Sequence, residues 1–186
     1  LKDRGNHIIT TQVEHPAVLN VCRYLEKFGI ETTYLPVDAH GRVLPEKVAD
    51  AVRTNTILIT VMHANNEVGT IQPVPDIAEI AKAHGIVFHT DAAQSVGKIP
   101  ADTVALGVDM LSVAGHKIYA SKGVGALFVR SGITPDNFCH GAGQEMGFRG
   151  GTENVAAIAG LGKACELLTK ELDHAAEKMT RMTRRL

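Results

Sequence analysis

Short runs rich in β-branched and apolar residues recur along the chain: Ile8 to Val13, Thr32 to Val37, Thr56 to Met62, Ile86 to His89, Met110 to Ala114 and Gly125 to Val129. Several are near-continuous rather than alternating, which is the pattern of strands covered on both faces. Helical patterns separate them. Pro16 stands in the first turn of Ala17 to Phe28, which Gly29 ends; Pro45 opens Glu46 to Arg53; Asp76 to His84 carries Ile77, Ile80 and Ala81 on one face and stops at Gly85. Strand and helix therefore alternate, which predicts an α/β fold with a mostly parallel, mixed sheet and right-handed crossovers.

After Arg130 the texture changes to a loop rich in Gly, Ser, Pro and Asn, followed by Gly141-Ala142-Gly143 and Gly150-Gly151. A long amphipathic helix is expected next, its apolar side formed by Val155, Ile158, Leu161, Cys165, Leu168, Leu172, Met179, Met182 and Leu186. Arg181 to Leu186 carries no stop signal, and a strand pattern begins within a few residues of Leu1, so both ends read as the edges of a piece.

Composition removes whole classes of function. With 45% hydrophobic and 21% charged residues, the 186-residue chain is globular. No apolar run approaches the roughly 18 residues of a membrane span, and Leu1-Lys2-Asp3-Arg4 resembles neither a signal nor a transit peptide. A net charge of −1 gives no electrostatic footprint for nucleic acid or an anionic membrane. Cys22, Cys139 and Cys165 are far apart and odd in number, which argues for a reducing compartment, the cytoplasm or, with a transit peptide upstream, the mitochondrial matrix. Metal ligation finds no support: there is no HExxH and no paired Cys/His spacing.

In an open parallel sheet, ligands bind beyond the carboxyl ends of the strands. Those ends are dense here: Glu14-His15, His63-Ala64-Asn65-Asn66-Glu67, His89-Thr90-Asp91-Ala92-Ala93-Gln94 and Gly115-His116-Lys117. Lys117 follows an apolar strand, so partial desolvation would suit a Schiff-base nucleophile; a solvated loop lysine is the plainer alternative. Asp91 can pair with a buried cation such as a protonated pyridine nitrogen or cap the next turn, and the two roles can coexist. His15 can stack on a planar ring, act as an acid or base, or cap the helix behind Pro16. Asn66 and Gln94 can bond a phenolate oxygen or satisfy loop backbone. Gly147-Phe148-Arg149-Gly150-Gly151-Thr152 can present N–H groups and a hydroxyl to a phosphate, or form a turn capped by Thr152.

Taken together, Glu14-His15-Pro16-Ala17-Val18, Asn65-Asn66-Glu67-Val68-Gly69, His89 to Ser95, Gly115-His116-Lys117 and Arg149 to Asn154 resemble the NifS/IscS-like cysteine desulfurases and selenocysteine lyases, of the class V aminotransferase group of pyridoxal-phosphate enzymes. Each motif is weak alone; five in order, over nearly the whole chain, are specific. The resemblance implies the large cofactor-binding domain of fold-type I enzymes, in part: residues 1–150 as its central portion and 151–186 as a helix leading toward a small C-terminal domain. It makes Lys117 the lysine that bonds pyridoxal 5'-phosphate and then the base at the substrate carbon, and Asp91 the partner of the ring nitrogen. His15 stacks on the ring, Asn66 and Gln94 lie near its phenolic oxygen, His116 contacts the phosphate, and Thr152 reaches the phosphate of the other subunit in a homodimer.

The implied reaction takes sulfur from L-cysteine, leaving alanine and an enzyme persulfide for an acceptor protein, as in iron–sulfur cluster biosynthesis. The alternatives are selenium release from L-selenocysteine, or a non-catalytic scaffold form. The family's reactive cysteine and its substrate-carboxylate arginine are expected outside this sequence. Cys22 and Cys165 fall on apolar helix positions, as inert core thiols do. One departure is Ala114, where the desulfurases commonly carry a phosphate-binding serine; Ser112 is read as lying on the wrong strand face to replace it.

Overall fold

In the computed structural model, residues 4–185 are described; the leader reading at Leu1 to Asp3 and the last apolar position, Leu186, lie outside them. Six strands form a single sheet: β1 (His7–Thr11), β2 (Glu31–Leu35), β3 (Thr56–Thr60), β4 (Val87–Asp91), β5 (Met110–Ala114) and β6 (Gly125–Val129). Their order is β2-β1-β3-β4-β5-β6. All neighbours are parallel except β5 and β6, which pair antiparallel from Met110 opposite Val129 to Ala114 opposite Gly125. The mixed α/β sheet expected from the sequence is therefore present.

Helices α1 (Pro16–Glu26), α2 (Pro45–Asp50), α3 (Val74–Ala83) and α4 (Thr103–Leu106) connect the strands, and α5 (Val155–Thr183) follows the last. Pro16 and Pro45 both occupy the first turn, where a missing N–H costs nothing. α3 starts two residues before the expected Asp76, because Pro73 caps it and Pro75 fits its first turn. α4 was not anticipated: four residues are too few for a readable period, although Asp102 caps it by accepting from Val104 and Ala105 N–H.

The main core lies between one sheet face and α2, α3 and α4. Ile9, Ile59, Val61, Phe88 and Leu111 meet Val48, Val74, Ile77, Ala81 and Leu106 there, all buried. α1 covers the other face by turning Val18, Val21, Cys22 and Leu25 toward Ile8, Leu58 and Thr60. The connections through α1 and through α2 thus leave opposite faces, so β1 and β3 flank a topological switch point.

α5 differs from its sequence reading. Its buried seam is Ala157, Leu161 and Ala164, packed on Ile118, whereas Val155 and Ile158 are exposed. Small residues carry the contact because α5 approaches closely: a Cβ on Gly97 would stand 2.7 Å from Leu168. Cys165 is exposed rather than a core thiol, while Cys22 is buried as expected.

Candidate active site

Beyond the carboxyl ends of β1, β3, β4 and β5 lies a cavity of about 590 Å³. His15, Asn66, Asp91, Gln94, His116 and Lys117 all line it. The structure thus brings together six of the seven residues singled out in the sequence. Thr152 lies apart, exposed in the segment before α5. It does not cap that helix either, since Asn154 accepts from Ala157 N–H at 3.2 Å.

His15 caps α1: Ala17 N–H donates to its Nδ1 at 3.1 Å. Nδ1 must then be unprotonated, which places the ring hydrogen on Nε2 and leaves the ring uncharged while the cap holds. Capping and cavity lining coexist in one residue. Asn65 and Asn66 divide the labour of the loop after β3. Asn65 is buried, accepts from Glu67 and Val68 N–H, and donates to Val13 carbonyl at 3.0 Å, tying that loop to the turn carrying His15. Asn66 is exposed and lines the cavity.

Asp91 ends β4. Its Oδ1 accepts from Ala93 N–H at 2.9 Å, and Oδ2 has no protein partner among the described residues. One oxygen therefore fixes the side chain and the other remains for a ligand. Lys117 sits in the short 3₁₀ turn Gly115–Ile118 directly after β5. Gly115 is required there, because a Cβ would lie 2.6 Å from Val124 carbonyl. Lys117 is exposed, as in the solvated alternative, and it makes no ion pair among the described residues.

Several residues of the site were not legible in the sequence. Glu14 is 4% exposed; its Oε1 accepts from both Thr11 hydroxyl (2.7 Å) and Met62 N–H (2.9 Å), while Oε2 is buried without a partner. Burial, aided by the Asp91 charge, pushes its carboxyl up to about 7 despite those two donors. His89 lines the cavity floor with both ring nitrogens bonded, Nδ1 to Thr60 Oγ1 at 2.8 Å and Nε2 to Ser112 Oγ at 2.9 Å. Burial lowers its pKa, against the opposing pull of the Asp91 charge. Ser112 is two residues from Ala114 and shares its face, contrary to the sequence reading, because strand side chains repeat every second residue. Its hydroxyl is engaged by His89.

Lys98 donates from Nζ to Gln94 Oε1 at 2.7 Å. Burial first, and the Lys117 charge second, pull its ammonium below the ordinary lysine value. Cys22 also lines the cavity, but burial pushes its thiol up to about 11, which keeps it protonated and unreactive at neutral pH. Arg149 is spent on its own loop, donating to Gly150 and Gly151 carbonyls and to Glu145. Among the described residues no cluster of ligating side chains suits a metal ion, and no helix is long and apolar enough to cross a membrane.

The donor set fits a planar pyridine aldehyde that carries a ring oxygen. A free carboxylate oxygen on Asp91 suits a ring cation, amides on Asn66 and Gln94 suit an anionic ring oxygen, and an amine on Lys117 suits a carbonyl carbon. The apolar walls from Val18, Val21 and Met62 suit the ring itself.

Comparison with known proteins agrees. The Aminotransferase class-V family model matches residues 2–186. The chain is 53% identical over 182 residues to a protein named cysteine desulfurase IscS from Dictyoglomus turgidum, covering 98% of this chain and 46% of that one. It is 50% identical over 185 residues to the protein of that name from Methanosarcina thermophila, covering 100% and 46%. A solved structure titled as a NifS-like protein superposes with a TM-score of 0.95 at 42% identity, covering 99% of this chain and 51% of the other. Another, titled SspA in complex with cysteine, gives 0.85 at 48% identity, covering 87% and 47%. The chain spans about half the length of the curated relatives it matches. On the match over residues 2–186, and with the cavity residues at the strand ends where that fold binds its ligand, the chain belongs to the class-V aminotransferase family of pyridoxal-phosphate enzymes.

Proposed function

We propose that this chain supplies the cofactor-binding half of a pyridoxal-phosphate-dependent cysteine desulfurase. The observation that carries the reading is the convergence of Lys117, Asp91, His15, Asn66 and Gln94 on one cavity from four adjacent strand ends. The identity to relatives named cysteine desulfurase supports the substrate, L-cysteine. When bound, the cofactor supplies an electrophilic carbonyl carbon and an electron-withdrawing pyridinium ring.

The residues of the chain then have separate tasks. Lys117 would hold the cofactor by its carbonyl carbon, and its amine would serve as the base that takes up a proton at the substrate Cα. Asp91 keeps the ring nitrogen protonated through its unused oxygen. His15, neutral and held by its cap, offers a flat ring for stacking and an Nε2–H donor. Asn66 and Gln94 bind the phenolic oxygen, and His116 binds the phosphate. Thr152, outside the cavity of its own chain, reaches the phosphate held by the second subunit of a homodimer. The sulfur would pass to a reactive cysteine thiol expected outside this sequence, the substrate C–S bond breaking as the persulfide S–S bond forms and alanine is left, and from there to an acceptor protein in a reducing compartment.

The test is substrate turnover by the intact protein loaded with pyridoxal phosphate. Alanine released from L-cysteine with a dithiol acceptor is expected. Alanine from L-selenocysteine alone would identify a selenocysteine lyase, and alanine from neither would overturn the reading.

A further inference from the structure

Gln94 can present either edge of its amide to the cavity: the carbonyl oxygen, which accepts, or the NH₂ group, which donates. For an anionic ring oxygen the two are opposite in sign. Lys98 removes the ambiguity. A lysine ammonium has three donors and no acceptor, so the 2.7 Å bond from Nζ identifies its partner as the amide oxygen and leaves the NH₂ edge to the cavity that Gln94 lines.

The turn that carries both residues is rigidly specified. It starts from Asp91, whose Oδ1 accepts from Ala93 N–H. Backbone bonds from Ser95 and Val96 to Ala92 carbonyl, and from Lys98 and Ile99 to Ser95 carbonyl, then set the four-residue spacing between Gln94 and Lys98. Gly97 lies at φ +76°, and a Cβ there would meet Leu168 at 2.7 and 2.9 Å, so α5 holds the turn from behind. Lys98 itself is half-buried and close enough to Lys117 for their charges to oppose each other. Leaving a lysine in that setting costs stability, and the bond to Gln94 is the one side-chain hydrogen bond it makes among the described residues.

We propose that Lys98 is a positioning residue of the active site: by donating to Gln94 Oε1 it locks the amide with its NH₂ edge toward the cavity, making that wall selective for an anionic ring oxygen. The inference rests on the cofactor reading given above and extends it to a residue outside the cavity. Without Lys98 the amide turns freely, its oxygen repels the ring oxygen, and the proton shared by that oxygen and its neighbouring nitrogen is held more tightly. Loss of the nearby positive charge acts in the same direction.

The experiment is a pH titration of the visible absorbance band of the intact protein loaded with pyridoxal phosphate. Lys98→Met is expected to raise the midpoint by about 0.5–1 pH unit, roughly a three- to tenfold gain in proton affinity. Lys98→Leu, the second variant should Met fold poorly, raises it likewise, and Lys98→Arg, again a donor only, restores the original midpoint. Gln94→Leu separates positioning from charge. Added to Lys98→Met it should shift the midpoint by less than half of what it does alone, because both substitutions remove one interaction. An unmoved midpoint in Lys98→Met and Lys98→Leu, or full additivity with Gln94→Leu, overturns the proposal and leaves the cofactor reading standing. A protein that forms no band at all overturns both.

Discussion

Glu14 shows how a single side chain can serve the site without entering it. It precedes His15, joins the end of β1 to the end of β3 through Thr11 and Met62, and leaves one oxygen buried without a partner. Its folded pKa, about 7, lies above its unfolded value near 4.5. The stability it permits is therefore fully present below about pH 4.5 and is lost as pH rises through about 7, a span worth about 3 kcal/mol. Glu14→Gln keeps both donors satisfied and cannot ionise. Thermal midpoints of the intact protein and of this variant should coincide near about pH 5 and separate near about pH 8, with the variant more stable; parallel curves would contradict it. Lys117, Asp91 and His15 were legible in the sequence because each stands at the end of an apolar run, where position alone suggests exposure to a ligand. Glu14, His89, Ser112 and Lys98 were not, because what distinguishes them is a partner far along the chain or a burial that no local pattern reports.

Among the elements, β3, β4 and β5 are joined on the cavity face by more than their backbone ladder. Thr60, His89 and Ser112 form a row of side-chain hydrogen bonds across the three strands, directly behind Asp91. Both histidine nitrogens are used, so the row fixes the ring, and burial lowers its pKa. At the end of β5, Gly115 lets the chain turn against Val124 into the 3₁₀ segment that carries His116 and Lys117. Gly115→Ala is expected to lower stability by about 1–3 kcal/mol and to weaken cofactor binding together with it, since the added methyl forces the β5–β6 junction apart. Melting curves and cofactor titration of the same preparation check this; an alanine variant with wild-type affinity would show that Lys117 is positioned independently of the junction. The strand runs and the larger helices were readable from period and from Pro and Gly punctuation. The packing of α5 was not, because its seam runs through Ala157 and Ala164, residues that carry little hydrophobic signal but allow close approach.

For the molecule as a whole, the sheet order places the ends of β1, β3, β4 and β5 side by side, and that adjacency turns scattered motifs into one cavity. In that order β1 connects outward to β2 while β3 and β4 run the other way, which puts the change of direction between β1 and β3. The sequence motifs could be assembled into a site because each falls just after a strand whose neighbour carries the next. Thr152 is the exception, exposed and away from the cavity. The central claim is that Lys117 is the amine that captures the cofactor. The measurement that tests it most directly is borohydride reduction of the intact protein after addition of pyridoxal phosphate, followed by peptide mapping. The expected result is a single reduced adduct on Lys117 that disappears in Lys117→Ala along with the visible band. An adduct on Lys98 or another lysine, or none, would contradict it.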